Sequence, residues 1–402
     1  MTETTIAVIG TVDTKAAEVE FLAARIGETC RAVVIDVSSL PHAQGVAGFT
    51  RDDVVRAAGL ADADWSGLRR DEMMHALGNG AGRLLRQMLD EGRLQGAISV
   101  GGNQGTAIAA IAMRQLPLGF PRLIISTVAS GNIRPYVEYQ DIYMCFSVAD
   151  FTNGVNPVSE TILANGAAAI AGMAKAYRPI RPSARPTIAL TAFGNTDPAV
   201  AAMRQRLTDN GFEVVSFHAS GAGGSALEHF IESGLFQGVI DVTSHELVGE
   251  VLGHDIYTPL RPRLTEAVKR GIPLVFIPGC IEYFCFAGPD TVPAQFLNRQ
   301  THYHNPYNTN IKLTADEAVQ VAEVTAAKLN EAVGPVAVLI PLHGFSGIGK
   351  AGQVLYNPDV DTAFVRTLKT KLRPDIPCME IEAHINDAAF AEKAVSTLLS
   401  LL

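Results

Sequence analysis

Three short strings rich in glycine and hydroxyl groups follow apolar runs: GTVDTK (10–15), GGNQGT (101–106) and STVASGN (126–132). Small residues there let a backbone approach a ligand, and unbonded N–H groups at a helix start favour an anion. Lys15, in the first turn of the helix that follows, opposes the helix dipole by about 0.3–1 kcal/mol. It therefore asks for an anionic partner, unless it is simply solvated beside an ordinary cap supplied by Asp13 or Thr14. In GGNQGT, helical spacing is expected from Thr106 to Gln115, with Gly101, Gly102 and Gly105 turning the chain and Thr106 adding a hydroxyl. The string has neither the G-K-[ST] of a P-loop nor a full G-x-G-x-x-G, so a phosphate loop and a packing turn both fit it. Three such loops on adjacent strand ends favour a nucleotide site.

A second set is acidic and imidazole-rich: TSHEL (243–247) with His245 and Glu246, PGCIEY (278–283) with Glu282, and THYHNP (301–306). His302 and His304 are two apart, so on a strand they face the same side. This set suits acid/base chemistry or substrate contact. Metal binding and plain capping histidines are the other readings, since no H-E-x-x-H is present. In the glycine-rich loop 341–359, His343, Ser346 and Lys350 are further candidates to touch a substrate, and Asp387 reads as a cap for the final helix.

The elements that must position these residues come twice. TIAVIGTVDTK from Thr5 aligns without a gap on TIALTAFGNTD from Thr187, and EGRLQGAISVGG (91–102) pairs with SGLFQGVIDVTS (233–244). PRLIISTVASG (121–131) then pairs with IPLVFIPGCIE (272–282). Apolar runs of four to six residues alternate with loops and amphipathic helices, which argues a parallel sheet with right-handed crossovers in each half. The expectation is an α/β protein of two Rossmann-like domains with mostly parallel sheets, related by an internal repeat. The stiff RPIRPSARP (178–186) separates domain 1–180 from domain 186–402. The first half carries an insertion of about forty residues, including 40–59, expected to serve as a lid or an interface element.

Composition bounds the rest. The chain has 402 residues, of which 48% are hydrophobic and 18% charged. That describes a folded protein of two-domain length. A net charge of −9 gives no general attraction to nucleic acid or anionic membrane. Five cysteines without C-x-x-C spacing, behind a start that lacks a basic and apolar leader, point to reduced thiols in a cytoplasm. No membrane segment is expected.

GTVDTK, STVASGNIRPYV, ANGAAAIAGM, FHASGAGG, HNPYNT, GPVAVLIPLHGFS and EAHINDAAFAE together resemble the Tm-one-like ATP-binding domain family, over nearly the whole chain. The resemblance implies a two-domain α/β architecture with ATP in the first domain. Its nucleotide motifs fall on Gly10, Thr11, Asp13, Lys15, Gly101, Gly102, Gly105, Thr106, Thr127, Ser130 and Gly131. Asn103, Gln104, Asn132 and His245 depart from the family pattern. The expected function is an ATP-binding protein, with Asp13 or a water network holding magnesium. It would use ATP on a small acidic or hydroxylated metabolite at an interdomain cleft, with Glu246, Glu282, His302 and His304 offering catalytic or substrate contacts. A non-catalytic ATP or metabolite sensor, or a module that binds a protein partner, is the rival class. A homodimer or higher homo-oligomer is expected.

Overall fold

The computed structural model describes residues 3–40, 47–60, 65, 67–152 and 154–402. The chain divides into two compact units, Met1–Ile180 and Arg181–Leu402. In the first, strands β1 (Thr5–Gly10), β2 (Arg31–Asp36), β3 (Ala47–Phe49), β4 (Gly96–Gly101), β5 (Arg122–Ser126) and β6 (Tyr143–Phe146) form one sheet in the order β3-β2-β1-β4-β5-β6. In the second, β7 (Thr187–Ala192), β8 (Glu213–His218), β9 (Gly238–Thr243) and β10 (Leu274–Gly279) join two later strands. The antiparallel trio β11 (Tyr283–Phe286), β12 (Thr301–Asn305) and β13 (Asn308–Lys312) intervenes, and β14 (Val336–Pro341) and β15 (Cys378–Ile381) complete the sheet. Its order is β15-β14-β10-β9-β7-β8, and every pairing in both six-stranded sheets is parallel.

Parallel strands covered by helices on both faces must be apolar throughout, and β1, β4, β9, β10 and β14 are buried at every residue. The repeat extends to register. Ile6 pairs with Gly96 just as Ile188 pairs with Gly238. The Gln95 side chain accepts the Thr5 N–H at 2.8 Å, and Gln237 accepts the Thr187 N–H at 2.5 Å. The two sheets are thus built alike, with β1 between β2 and β4 as β7 is between β8 and β9. That reversal of strand order opens a crevice at the carboxyl edge, where α/β folds hold ligands.

The antiparallel trio lies outside the expected strand pattern. Its hairpin turns through Pro306 and Tyr307, between the paired residues Asn305 and Asn308. Of the insertion, residues 41–46 lie outside the described residues. Helix Arg51–Ala57 carries a full capping box from Thr50 and Asp53, and Trp65 packs under the Arg51 guanidinium at 4.9 Å. Among the described residues no helix is long and apolar enough to cross a membrane.

Candidate functional site

In the first unit, β1, β4 and β5 are adjacent, so the three glycine loops line one stretch of the carboxyl edge. The helix after β4 begins at Asn103 and runs to Met113, earlier than its spacing suggests, and its N-cap is Gly102. Asn103 and Gln104 therefore lie in the first turn. Their side-chain oxygens accept from Tyr136 Oη at 3.2 Å and from Arg70 Nη2 at 2.8 Å. Gly102 has no side chain to cap the helix, and the first N–H groups of any helix lack intrahelical acceptors.

The glycines differ in what they do. A β-carbon on Gly10 would stand 2.3 Å from Val19 Cγ2, and one on Gly101 would stand 3.0 Å from Gly105 Cα. Both are therefore required by helix–strand packing. A β-carbon on Gly102 would meet only Thr127 Oγ1, at 3.6 Å, and Gly102 has φ −84°, open to any residue. Neither packing nor backbone geometry demands a glycine there.

Other expected contacts are already engaged within the chain. Thr106 is fully buried and its hydroxyl pairs with Ser126 Oγ at 2.6 Å. In the loop after β5, the N–H groups of Thr127, Val128, Ala129 and Gly131 bond Gly101 O, Ser126 Oγ, Ser126 O and Val128 O. Ser130 and Gly131 are exposed. The first helix, Val12–Gly27, is capped at Thr11 rather than Asp13 or Thr14. Asp13 instead accepts the Leu40 N–H at 3.1 Å and the Thr14 hydroxyl at 3.3 Å. The chain leaves helical geometry at Lys15 (φ −134°), whose ammonium donates to Phe151 O at 2.7 Å. That bond fixes the lysine without balancing its charge.

In the second unit the expected acidic residues fall into separate clusters. Glu246 is fully buried, accepting from Arg263 Nε at 2.7 Å and from the N–H groups of Gly221 and Gly224 at 2.5 and 3.0 Å. Arg263 also bonds Glu228 and Asp241, at 2.6 and 3.0 Å. Burial raises the affinity of all three carboxylates for protons, and the single guanidinium opposes it. This cluster welds β9 to the helices around it. In the sequence it shows only as RPR at 261–263, two arginines flanking a proline.

Glu282 is also buried, but elsewhere. Its Oε1 accepts the Ser346 hydroxyl at 2.5 Å, and its Oε2 meets no donor among the described residues. Nearby, Lys312 Nζ bonds Asp361 Oδ1 at 2.9 Å. Burial pushes the Asp361 carboxyl up to about 7, with Lys312 opposing and Glu282 adding to the rise. Asp361 lines a cavity of about 700 Å³ at the carboxyl ends of β14 and β15, together with His343, Tyr356, Arg366, Lys369 and Glu380. Such a volume holds a metabolite-sized ligand. Lys312 is flanked in sequence only by the apolar Ile311 and Leu313, and Asp361 reads as an ordinary first-turn acid.

His302 and His304 do share a face of β12, with ring centres 5.8 Å apart. Burial, then the neighbouring His304, holds the His302 imidazole below its usual value. His304 lines a second cavity, of about 360 Å³, with Phe193, His218, Tyr257, Tyr307 and Asn310. Asp387 is the N-cap of the final helix, though its carboxylate accepts the His384 N–H at 2.8 Å instead of a helical one.

Residues 4–179 match the family model described as Uncharacterised protein family (UPF0261) N-terminal domain, and residues 185–402 match its C-terminal domain. A UPF0261 protein of Clostridium tetani is 36% identical over 400 residues, covering 99% of this chain and 98% of that one. One from Rhizobium meliloti is 36% identical, covering 97% of each. The ToMV resistance protein Tm-1(GCR237) of Solanum lycopersicum is 33% identical, covering 98% of this chain and 55% of its own.

Proposed function

The chain belongs to the uncharacterised protein family UPF0261, and on that premise we propose that it is an ATP-binding protein acting on a small acidic or hydroxylated metabolite. The nucleotide phosphates would lie in the crevice between β1 and β4. The observation that carries this reading is the open space over Gly102, a helix N-cap that packing does not require to be glycine. A backbone bare of side chains at a helix start, in the crevice where strand order reverses, suits a phosphate. The Lys15 charge in the first helix and the Arg70 guanidinium held by Gln104 belong to the same unit and complement an anion. Asp13 is the carboxylate that would hold hydrated magnesium, which commonly takes one or two carboxylates alongside phosphate. Bound ATP would supply a group for transfer.

In the second unit, the cavity of about 700 Å³ would take the metabolite. Arg366 on its wall attracts an acid, Lys369 being paired with Glu380 at 2.8 Å, and Asp361, titrating near neutrality, can give or take a proton there. Thermal melting with ATP and magnesium tests the reading. At about a hundred times Kd, binding adds about 2.7 kcal/mol, a rise on the order of 5–10 °C for a domain of this size. No shift at millimolar ATP would contradict it.

A further inference from the structure

Three ionisable side chains meet beside the smaller cavity of the second unit: His245 after β9, Asp255 after helix Glu246–Leu252, and Cys285 on β11. All are buried, and their ligating atoms lie within 4.8 Å of one another. Each is held by a partner behind it. The His245 Nδ1 lies 2.8 Å from Cys280 O, so this nitrogen donates its N–H there and Nε2 is the ring atom that faces the cluster. Asp255 accepts the Tyr257 N–H at 2.7 Å and the Cys285 N–H at 2.6 Å. Asn310 Nδ2 lies 3.0 Å from Cys285 Sγ, a donor suited to a thiolate.

The imidazole Nε2 itself is buried without a hydrogen bond, although Asp255 Oδ2 stands 3.1 Å away. That distance is close to the separation of about 3.3 Å expected for neighbouring ligand atoms on a tetrahedral zinc. We propose that His245, Asp255 and Cys285 form a zinc site, with the fourth position approached from the cavity of about 360 Å³. Thiolate, imidazole and carboxylate together match the ligand preferences of zinc. A backbone carbonyl on the far ring nitrogen and an amide on the sulfur are the usual outer partners of such ligands. Tyr257 and Asn310 belong both to those partners and to the cavity wall, which makes the cavity the side of entry.

The test uses the full chain. Elemental analysis of the purified protein should find one zinc per chain. After chelator treatment, cobalt(II) should give a saturable thiolate-to-cobalt charge-transfer band that zinc abolishes. Cys285→Ser should lose the band and Cys280→Ser should keep it, with circular dichroism verifying both folds. Asn310→Ala should weaken zinc binding by about 10- to 100-fold. If Cys285→Ser fails to fold, the metal content and cobalt band of the parent chain decide. A folded parent chain with neither zinc nor the band overturns the proposal. So does a band that persists in Cys285→Ser, or Cys285 alkylation that proceeds equally fast with and without added zinc.

Discussion

Thr127 Oγ1 lies 3.6 Å from the point where a β-carbon on Gly102 would stand, an ordinary contact, whereas Val19 Cγ2 lies 2.3 Å from the same point on Gly10. Gly10→Ala should therefore destabilise by about 1–3 kcal/mol through overpacking. Gly102→Ala should cost about 1 kcal/mol or less, the loss of a tolerated N-cap. Chemical denaturation of both variants without nucleotide checks the contrast. Equal losses would mean that Gly102 is also a packing residue.

Lys15→Met should lower stability even without nucleotide, because it removes the bond from the ammonium to Phe151 O that joins the first helix to the segment after β6. A charged donor of this kind contributes about 1.5–3 kcal/mol, the lower end applying to a half-buried group. Denaturation of the ligand-free variant measures it. An unchanged midpoint would restore the reading of Lys15 as a solvated lysine.

Arg263→Met should cost about 3–5 kcal/mol, since it leaves three buried carboxylates without their cation. Glu246→Gln keeps the shape and removes one charge of the three, so it should cost less. If Glu246 were a group acting on substrate, Glu246→Gln would leave stability intact while abolishing turnover. A lowered melting temperature is the outcome expected here.

Asp361 sets a pH dependence. Its carboxyl titrates at about 7 in the folded chain against the ordinary 3.8, so the folded state binds the proton more tightly. Its contribution to stability is fully present below about pH 4 and is lost as pH rises through 7, at up to about 1.4 kcal/mol per pH unit. Melts of the parent and Asp361→Asn between pH 4 and 8 isolate this contribution. The parent should lose stability relative to the variant across that window, and parallel curves would contradict the assignment.

The halves and their strands were legible because parallel strands buried on both faces leave unbroken apolar runs, and because Thr5 and Thr187 begin matching strings. The glycine loops do fall on adjacent strand ends, but their chemistry was not readable from composition. Gly10, Gly101 and Gly102 look alike in sequence, and only the position of Val19 and Gly105 separates packing glycines from an open one. Similarly, Thr106 and Glu246 carry the right groups for a site yet face Ser126 and Arg263. Arg263, Asp361 and Cys285 gain their roles from partners 17 to 49 residues away in the chain, a separation that no local pattern records.

The most direct measurement is calorimetric titration of ATP with magnesium into the parent chain and into Gly102→Val. Valine tolerates the extended backbone at this position, so the variant should fold, while its branched side chain would occupy the space assigned to phosphate. The parent should bind, and the variant should bind at least about a hundredfold more weakly, near 2.7 kcal/mol. A folded Gly102→Val chain that binds ATP as tightly as the parent would place the nucleotide elsewhere, and a parent chain that binds none would contradict the proposed function.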